Sequence, residues 1–214
     1  LKPELRRPFS WKNANPIGAF KHIKSYPNII PLIVCIFLIN IAANAVQSTW
    51  SYYTMEKFSW DERMVGLSLG FVGTLLMIVQ AGLIRIAIPK LGLQKAILTG
   101  LILYVIAYSL FGFASASWMM YAISIFFVSA GIAGPALQSY ISDRIPQNEQ
   151  GQIQGGITSV ISLTSIIGPL LMTSLFAYFS KKEVHPYFPG APFILSAALA
   201  ITALIIACLY FRKK

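Results

Sequence analysis

The chain has 214 residues, 56% of them hydrophobic and only 11% charged, with a mean hydropathy of +0.66. Soluble domains carry about 25% charge, so this balance excludes an ordinary soluble domain and puts the chain in the membrane class. The formal net charge of +10 lies mostly outside the apolar stretches, which argues for membrane topology and against nucleic acid as a partner.

The chain begins at Leu1 rather than Met, and we expect it to be a piece of a longer protein. We divide it into a basic arm at 1–27, a six-span unit at 28–211 and a basic tail at 212–214. In the arm, Asn15-Pro16 is a helix start, with Asn as cap and Pro in the first turn. Ile17, Phe20 and Ile23 follow at helical spacing beside Lys21 and Lys24, so a short helix lying on the membrane surface is expected.

Apolar runs follow at 28–53, 64–88, 96–113, 118–141, 152–179 and 190–211. Crossing the hydrocarbon takes roughly 17–25 apolar residues, so each run reads as a transmembrane helix. The fold class expected is an all-α membrane protein with six such helices. Of the 17 Lys and Arg residues, only Lys57, Arg63, Lys181 and Lys182 fall on the side opposite the arm. The positive-inside rule then puts both ends of the chain in the cytoplasm. Trp50, Trp60 and Trp118 fall near the outer boundary and read as an interfacial aromatic belt.

In the first run Asn40, Asn44, Gln47 and Ser51 recur at steps of three and four, which places them on one helical face. An amide facing lipid is costly, so this face should meet protein or water. It is either a substrate-contacting face or a set of interhelical hydrogen bonds. Gln154, Thr158 and Ser165, with Ser162 nearby, form a similar stripe in the fifth run. There the hydroxyls have the further option of bonding to their own helix. Gln80 and Gln138 are isolated amides in the second and fourth runs. Gly66, Gly70 and Gly73 share a face and read as a close-packing surface.

Gly131, Gly134 and Pro135 lie in the fourth run, and Gly168-Pro169 in the fifth. A Gly-Pro step breaks a soluble helix, at about 3 kcal/mol for the Pro. In a bilayer such a step either is absorbed by neighbouring helices or marks a moving part or a binding site. No acid lies deep in a run, and the histidines, His22 and His185, lie in the arm and an outer loop. An intramembrane enzyme would need such groups at depth, so no enzyme, metal or cofactor is expected. Cys35 and Cys208, each inside an apolar run, read as small hydrophobes.

Three segments carry a family resemblance: Gly134-Pro135-Ala136-Leu137-Gln138, Gln150-Gly151-Gln152-Ile153-Gln154-Gly155, and Leu163-Thr164-Ser165-Ile166-Ile167-Gly168-Pro169-Leu170-Leu171. In this order they resemble the C-terminal half of a major facilitator superfamily transporter, within the tetracycline/proton antiporter branch of the drug exporters. The resemblance implies half of that fold, two inverted three-helix repeats, with the arm as the central cytoplasmic loop. It implies that the first, second, fourth and fifth spans border a cavity. It implies secondary active transport by alternating access, a proton-coupled efflux of tetracycline-like or other small organic compounds. Solute uptake in the same superfamily, or a structural membrane protein without a path, are the alternatives. The implied partners are membrane lipid, a small organic substrate, protons and the N-terminal six-helix half, in a bacterial cytoplasmic membrane. Substrate contacts would come from Asn40, Asn44, Gln47, Gln80, Gln138, Thr158, Ser162 and Ser165. Gating and bending would fall to Gly131, Gly134, Pro135, Gly168 and Pro169, with Asp143 and Arg144 pairing across a closed gate. That branch carries His at the position of Leu76 and Asp at that of Tyr104, so the proton carrier is expected in the other half.

Overall fold

The computed structural model describes residues 25–213 except Lys182 and Val184, and of Leu83 the backbone alone. The arm up to residue 24, with its expected surface helix, lies outside the described residues. Six segments are long and apolar enough to cross a membrane. The first is the helix Ile30–Phe58, entered through a short turn at Pro27–Ile29. The second is Glu62–Ile78, followed without a gap by the π-helical segment Val79–Leu83 and the helix Ile84–Leu91. The third is Leu93–Phe113. The fourth consists of two helices, Ser117–Ala130 and Ala133–Ser142. The fifth and sixth are Gln150–Phe179 and Ala191–Arg212.

Local chemistry sets the connections. Ser59 takes a left-handed conformation (φ 55°) and ends the first span. Two residues later Asp61 caps the second, accepting from the Met64 backbone N–H at 2.8 Å. Gly92 (φ 76°) turns the chain between the second and third spans, a conformation that suits a residue without a Cβ.

The two Gly-Pro steps behave differently. The fourth span stops at Ala130 and restarts at Ala133, so Pro135 lies in the first turn of a new helix. There its missing N–H has no carbonyl partner to lose. Pro169 lies well inside the continuous helix Gln150–Phe179. Thr173 Oγ1 donates to the Pro169 carbonyl at 2.7 Å one turn further on.

Packing is strongest where side chains are small. The sixth span lies between the first and the third, and the first also packs on the fifth. Ala197, Ala200, Ala203 and Ala207 form its buried face. Ser196 Oγ donates to the Ala42 carbonyl at 2.9 Å, and Cys35 Sγ to the Ala203 carbonyl at 3.3 Å. Small residues at helical spacing let backbones approach and add dispersion, which drives helix association in lipid. A Cβ on Gly100 would lie 2.8 Å from Ala133 Cβ, and one on Gly190 would overlap the Gly112 carbonyl oxygen. The second span is only 17% buried and the fifth 22%, against 56% for the first. Nothing lies within 4 Å of a Cβ placed on Gly66, Gly70 or Gly73, so no described helix packs on that face.

The belt assignment of two tryptophans needs correction. Trp50 and Trp60 are buried, with ring N–H groups donating to Ser68 Oγ at 2.9 Å and Ser117 Oγ at 3.0 Å. They tie the first span to the second and the 59–61 turn to the fourth span. A buried indole needs an acceptor, and both have one inside the fold. Trp118, 69% exposed, is placed as a belt residue would be.

Asn44 is buried against the fifth span. Its Nδ2 donates to the Asn40 carbonyl at 2.8 Å and to the Thr164 carbonyl at 3.4 Å. A Cβ on Gly168 would fall within 2.8 Å of Asn44 Cβ. We therefore expect Gly168→Ala to cost about 1–3 kcal/mol through overpacking. In the Gly168→Ala, Asn44→Ala double variant the two costs should fail to add by about 1 kcal/mol or more. Denaturant unfolding of the purified protein in detergent checks this, and additive costs would remove the contact. By the same measurement, Gly190→Ala should lose about 1–3 kcal/mol.

Candidate transport site

The fourth span carries two adjoining cavities with Pro135 on the wall of both. One has a volume of about 480 Å³ and lies where the fourth span meets the start of the fifth. Its walls are mostly neutral polar: Gln138, Ser139, Ser142, Gln150 and Gln154, with Gly151 and Pro135. Gln154 Nε2 donates to Gln138 Oε1 at 3.3 Å, an amide pair joining the fourth and fifth spans. Gln150 Nε2 reaches the carbonyls of Ser142 at 3.2 Å and Ile145 at 3.4 Å. The Ser142 carbonyl also accepts the Ile145 backbone N–H at 3.2 Å, and the Gln150 amide ties the end of the fourth span to the start of the fifth.

The other cavity, about 400 Å³, lies between the second and fourth spans. Leu76, Val79, Ile84 and Val128 make it apolar, Gly131 and Pro135 supply its backbone wall, and Gln80 is its one amide. Both helices are irregular here. Val79 and Gln80 open the π-helical segment, and Gly131 lies in the break of the fourth span. π-Helical turns inside α-helices recur at functional sites, where they re-aim side chains. Non-helical backbone at membrane depth is stable where it is buried in protein or lines a cavity. Among the described residues, no ionisable side chain lines either cavity.

The residues singled out from the sequence fall into separate places. Gln80 and Gln138 line the two cavities. Thr158, Ser162 and Ser165 are exposed along the fifth span. Thr158 Oγ1 donates to the Gln154 carbonyl at 3.0 Å, and Ser165 Oγ to the Ile161 carbonyl at 3.2 Å. Asn44 is turned away into the contact with Thr164 and Gly168, which is the helix-joining option left open above. Asn40 is half-buried and donates to the Ile36 carbonyl of its own helix at 2.8 Å, whereas Gln47 is exposed.

Of the gating candidates, Gly131, Gly134 and Pro135 gather at the break, where Gly134 has nothing within 4 Å of a Cβ. Asp143 is exposed at the end of the fourth span. Arg144 lies 3.3 Å above the Tyr140 ring and donates from Nη1 to the Tyr140 carbonyl at 2.9 Å. That stacking holds the guanidinium against its own span. Sequence reasoning missed Val79, Ile84 and Val128 as cavity walls, because each is an ordinary aliphatic residue in an apolar run. The polar interruption Gln80-Ala81-Gly82 was the available signal for the π-helical segment.

Comparison with known proteins bears on what these cavities serve. The Major Facilitator Superfamily profile matches residues 32–214. The chain is 31% identical over 199 residues to the class C tetracycline resistance protein of Escherichia coli, covering 93% of this chain and 49% of that protein. It is 34% identical over 175 residues to the class E tetracycline resistance protein of Escherichia coli, covering 82% and 42%. A human protein, hippocampus abundant transcript-like protein 1, is 24% identical over 225 residues, covering 96% and 44%. The chain thus spans about half the length of the curated relatives it matches. With its six membrane-crossing helices and a family match over nearly all of its length, the chain is a multi-pass membrane protein that belongs to the major facilitator superfamily.

Proposed function

We propose that this chain is the C-terminal half of a secondary transporter that exports small organic compounds against protons by alternating access. The observation that carries the reading is a pair of uncharged cavities set beside a helix break and a π-helical segment. Neutral amides can orient a solute without the cost of a buried charge. The irregular helices supply the joints that rocking of one half against another requires. The drug in this reading comes from the tetracycline resistance proteins among the relatives.

The partner in this reading is an N-terminal six-helix half. It would cover the second and fifth spans, which this chain leaves largely open, with Gly66, Gly70 and Gly73 at the contact. Residues 1–27 would be the loop joining the halves and 212–214 a short basic tail. The excess of basic residues on one side supports both ends lying in the cytoplasm, and the tetracycline resistance relatives from Escherichia coli support a bacterial membrane. Among the described residues neither cavity is lined by an acid, and in this reading the proton carrier would belong to the other half. Gln80, Gln138, Gln47, Thr158, Ser162 and Ser165 would contact the solute, and Gly131, Gly134 and Pro135 would bend.

The test uses the full-length transporter in inverted membrane vesicles, with tetracycline and a lipophilic dye as solutes. We expect accumulation of at least one that an uncoupler abolishes. Gln138→Leu should lower its rate about tenfold, the size of one lost hydrogen bond to a buried partner. Accumulation indifferent to the uncoupler would overturn the proton coupling, and a Gln138→Leu rate equal to wild type would remove that contact. Gln47→Cys should react with a water-soluble maleimide, whereas Ala203→Cys, at a position 0% exposed, should not. Equal labelling of the two would sink the assignment of Gln47 to a water-filled path.

A further inference from the structure

We infer that the ends of the third, fourth and sixth spans form a site for the headgroup of an anionic phospholipid, gathered around Tyr140. Three helices meet at that ring. The Arg144 guanidinium stacks on its face at 3.3 Å, and Arg144 Nη1 donates to the Tyr140 carbonyl at 2.9 Å. Phe211 meets the ring at 5.2 Å between centroids and Tyr210 at 6.2 Å, both edge to face. Gln94 Nε2 donates to the Tyr140 hydroxyl at 3.3 Å. The next residues along the chain from these contacts are cations: Lys95 follows Gln94, and Arg212 and Lys213 follow Phe211. One aromatic hub thus brings charges from three spans to one end of the bundle.

The chemistry there suits a phosphodiester. A guanidinium has five N–H donors, so a stacked ring and one carbonyl bond orient Arg144 and leave most of its donors for a ligand. Lys95 and Arg212 are exposed, free to close on an anion beside it. The carboxylates at this end, among the described residues, are the exposed Asp143 and Glu149, and Glu149 accepts from the Tyr26 hydroxyl. The local balance is therefore positive.

The position of the cluster selects a lipid as the source of that phosphate. Gln138 and Ser142 line the cavity between the fourth and fifth spans. Tyr140 is two residues from each, and at about 100° per residue it falls on the far side of the helix. The hub accordingly faces the third and sixth spans. Each of these carries a row of exposed aliphatic residues on one face, Ile102, Ile106 and Leu110 on the third and Ile201, Ile205 and Leu209 on the sixth. Leu209 lies less than one turn from Arg212, so a headgroup held by the cations has a surface for its acyl chains directly beside it. A free phosphate or a water-soluble acidic partner would match the charges and leave those rows uncovered. Aromatic residues such as Tyr140, Tyr210 and Phe211 suit headgroup depth, and basic clusters between membrane helices bind anionic headgroups there.

This site goes beyond the transport reading and does not depend on it. The probe is phosphatidylglycerol with a photoreactive diazirine in one acyl chain, titrated into phosphatidylcholine vesicles that hold the full-length protein. We expect saturable crosslinking on the peptides 93–113 and 191–213, displaced by unlabelled phosphatidylglycerol but not by inorganic phosphate. Photoreactive phosphatidylcholine should give no saturable labelling of those peptides. Arg144→Gln, Lys95→Gln and Arg212→Gln should each raise the half-saturating lipid fraction about fivefold, and Lys181→Gln, on an outer loop, should leave it unchanged. Lys95 and Arg212 are exposed, so their variants decide the matter if Arg144→Gln does not elute and melt as a folded protein. Labels mapped elsewhere, equal labelling by phosphatidylcholine, displacement by inorganic phosphate, or unchanged half-saturation in folded variants would overturn the inference.

Discussion

A bilayer interior offers no water to backbone N–H and C=O groups, and this constraint governs the whole chain. Each span must close its own hydrogen bonds, so any irregular stretch has to be covered by protein or open to a cavity. The chain departs from regular α-helix within its spans at Val79–Leu83 and at the break after Ala130, and residues of both line the same cavity. The side-chain chemistry there is sparse, a single amide among aliphatics. The backbone departure is what sets this place apart from the rest of the helical surface.

The same solvent decides how the helices hold together. Lipid tails are as apolar as leucine, so burial of apolar area contributes little to helix association, and close packing and interhelical hydrogen bonds contribute more. The alanine face of the sixth span and the Gly112–Gly190 and Gly100–Ala133 contacts let the first, third, fourth and sixth spans approach closely. Ser196 adds a hydrogen bond within that core, Trp60 ties the 59–61 turn to it, and Trp50 ties the second span to the first. The result is a firm central set with the second and fifth spans at its margins, much of their apolar surface uncovered.

Much of this was legible in the sequence. Length and hydropathy of each run locate the six spans, because a crossing needs a minimum apolar length whatever it packs against. The scarcity of charge excluded a soluble fold, and the residues around Gly134-Pro135 and Gly168-Pro169 pointed to the family that the profile match bears out. The amide column Asn40, Asn44, Gln47 lies on one helical face by its spacing, since a helix repeats every 3.6 residues.

Only the tertiary structure decided what those features do. Asn44 serves the contact with Gly168, while Gln47 three residues on stays open, because the fifth span crosses one and not the other. Two identical Gly-Pro steps gave one broken helix and one continuous helix: Pro135 begins a new helix, and Pro169 lies mid-helix. Trp50 and Trp60 turned inward once Ser68 and Ser117 were near enough to accept their N–H groups. The apolar cavity was invisible beforehand because Val79, Ile84 and Val128 are ordinary membrane residues until two irregular helices meet. Composition and period determine that a helix crosses the membrane and which of its residues share a face. Which face is covered depends on residues distant in the chain, and local sequence carries no record of that distance.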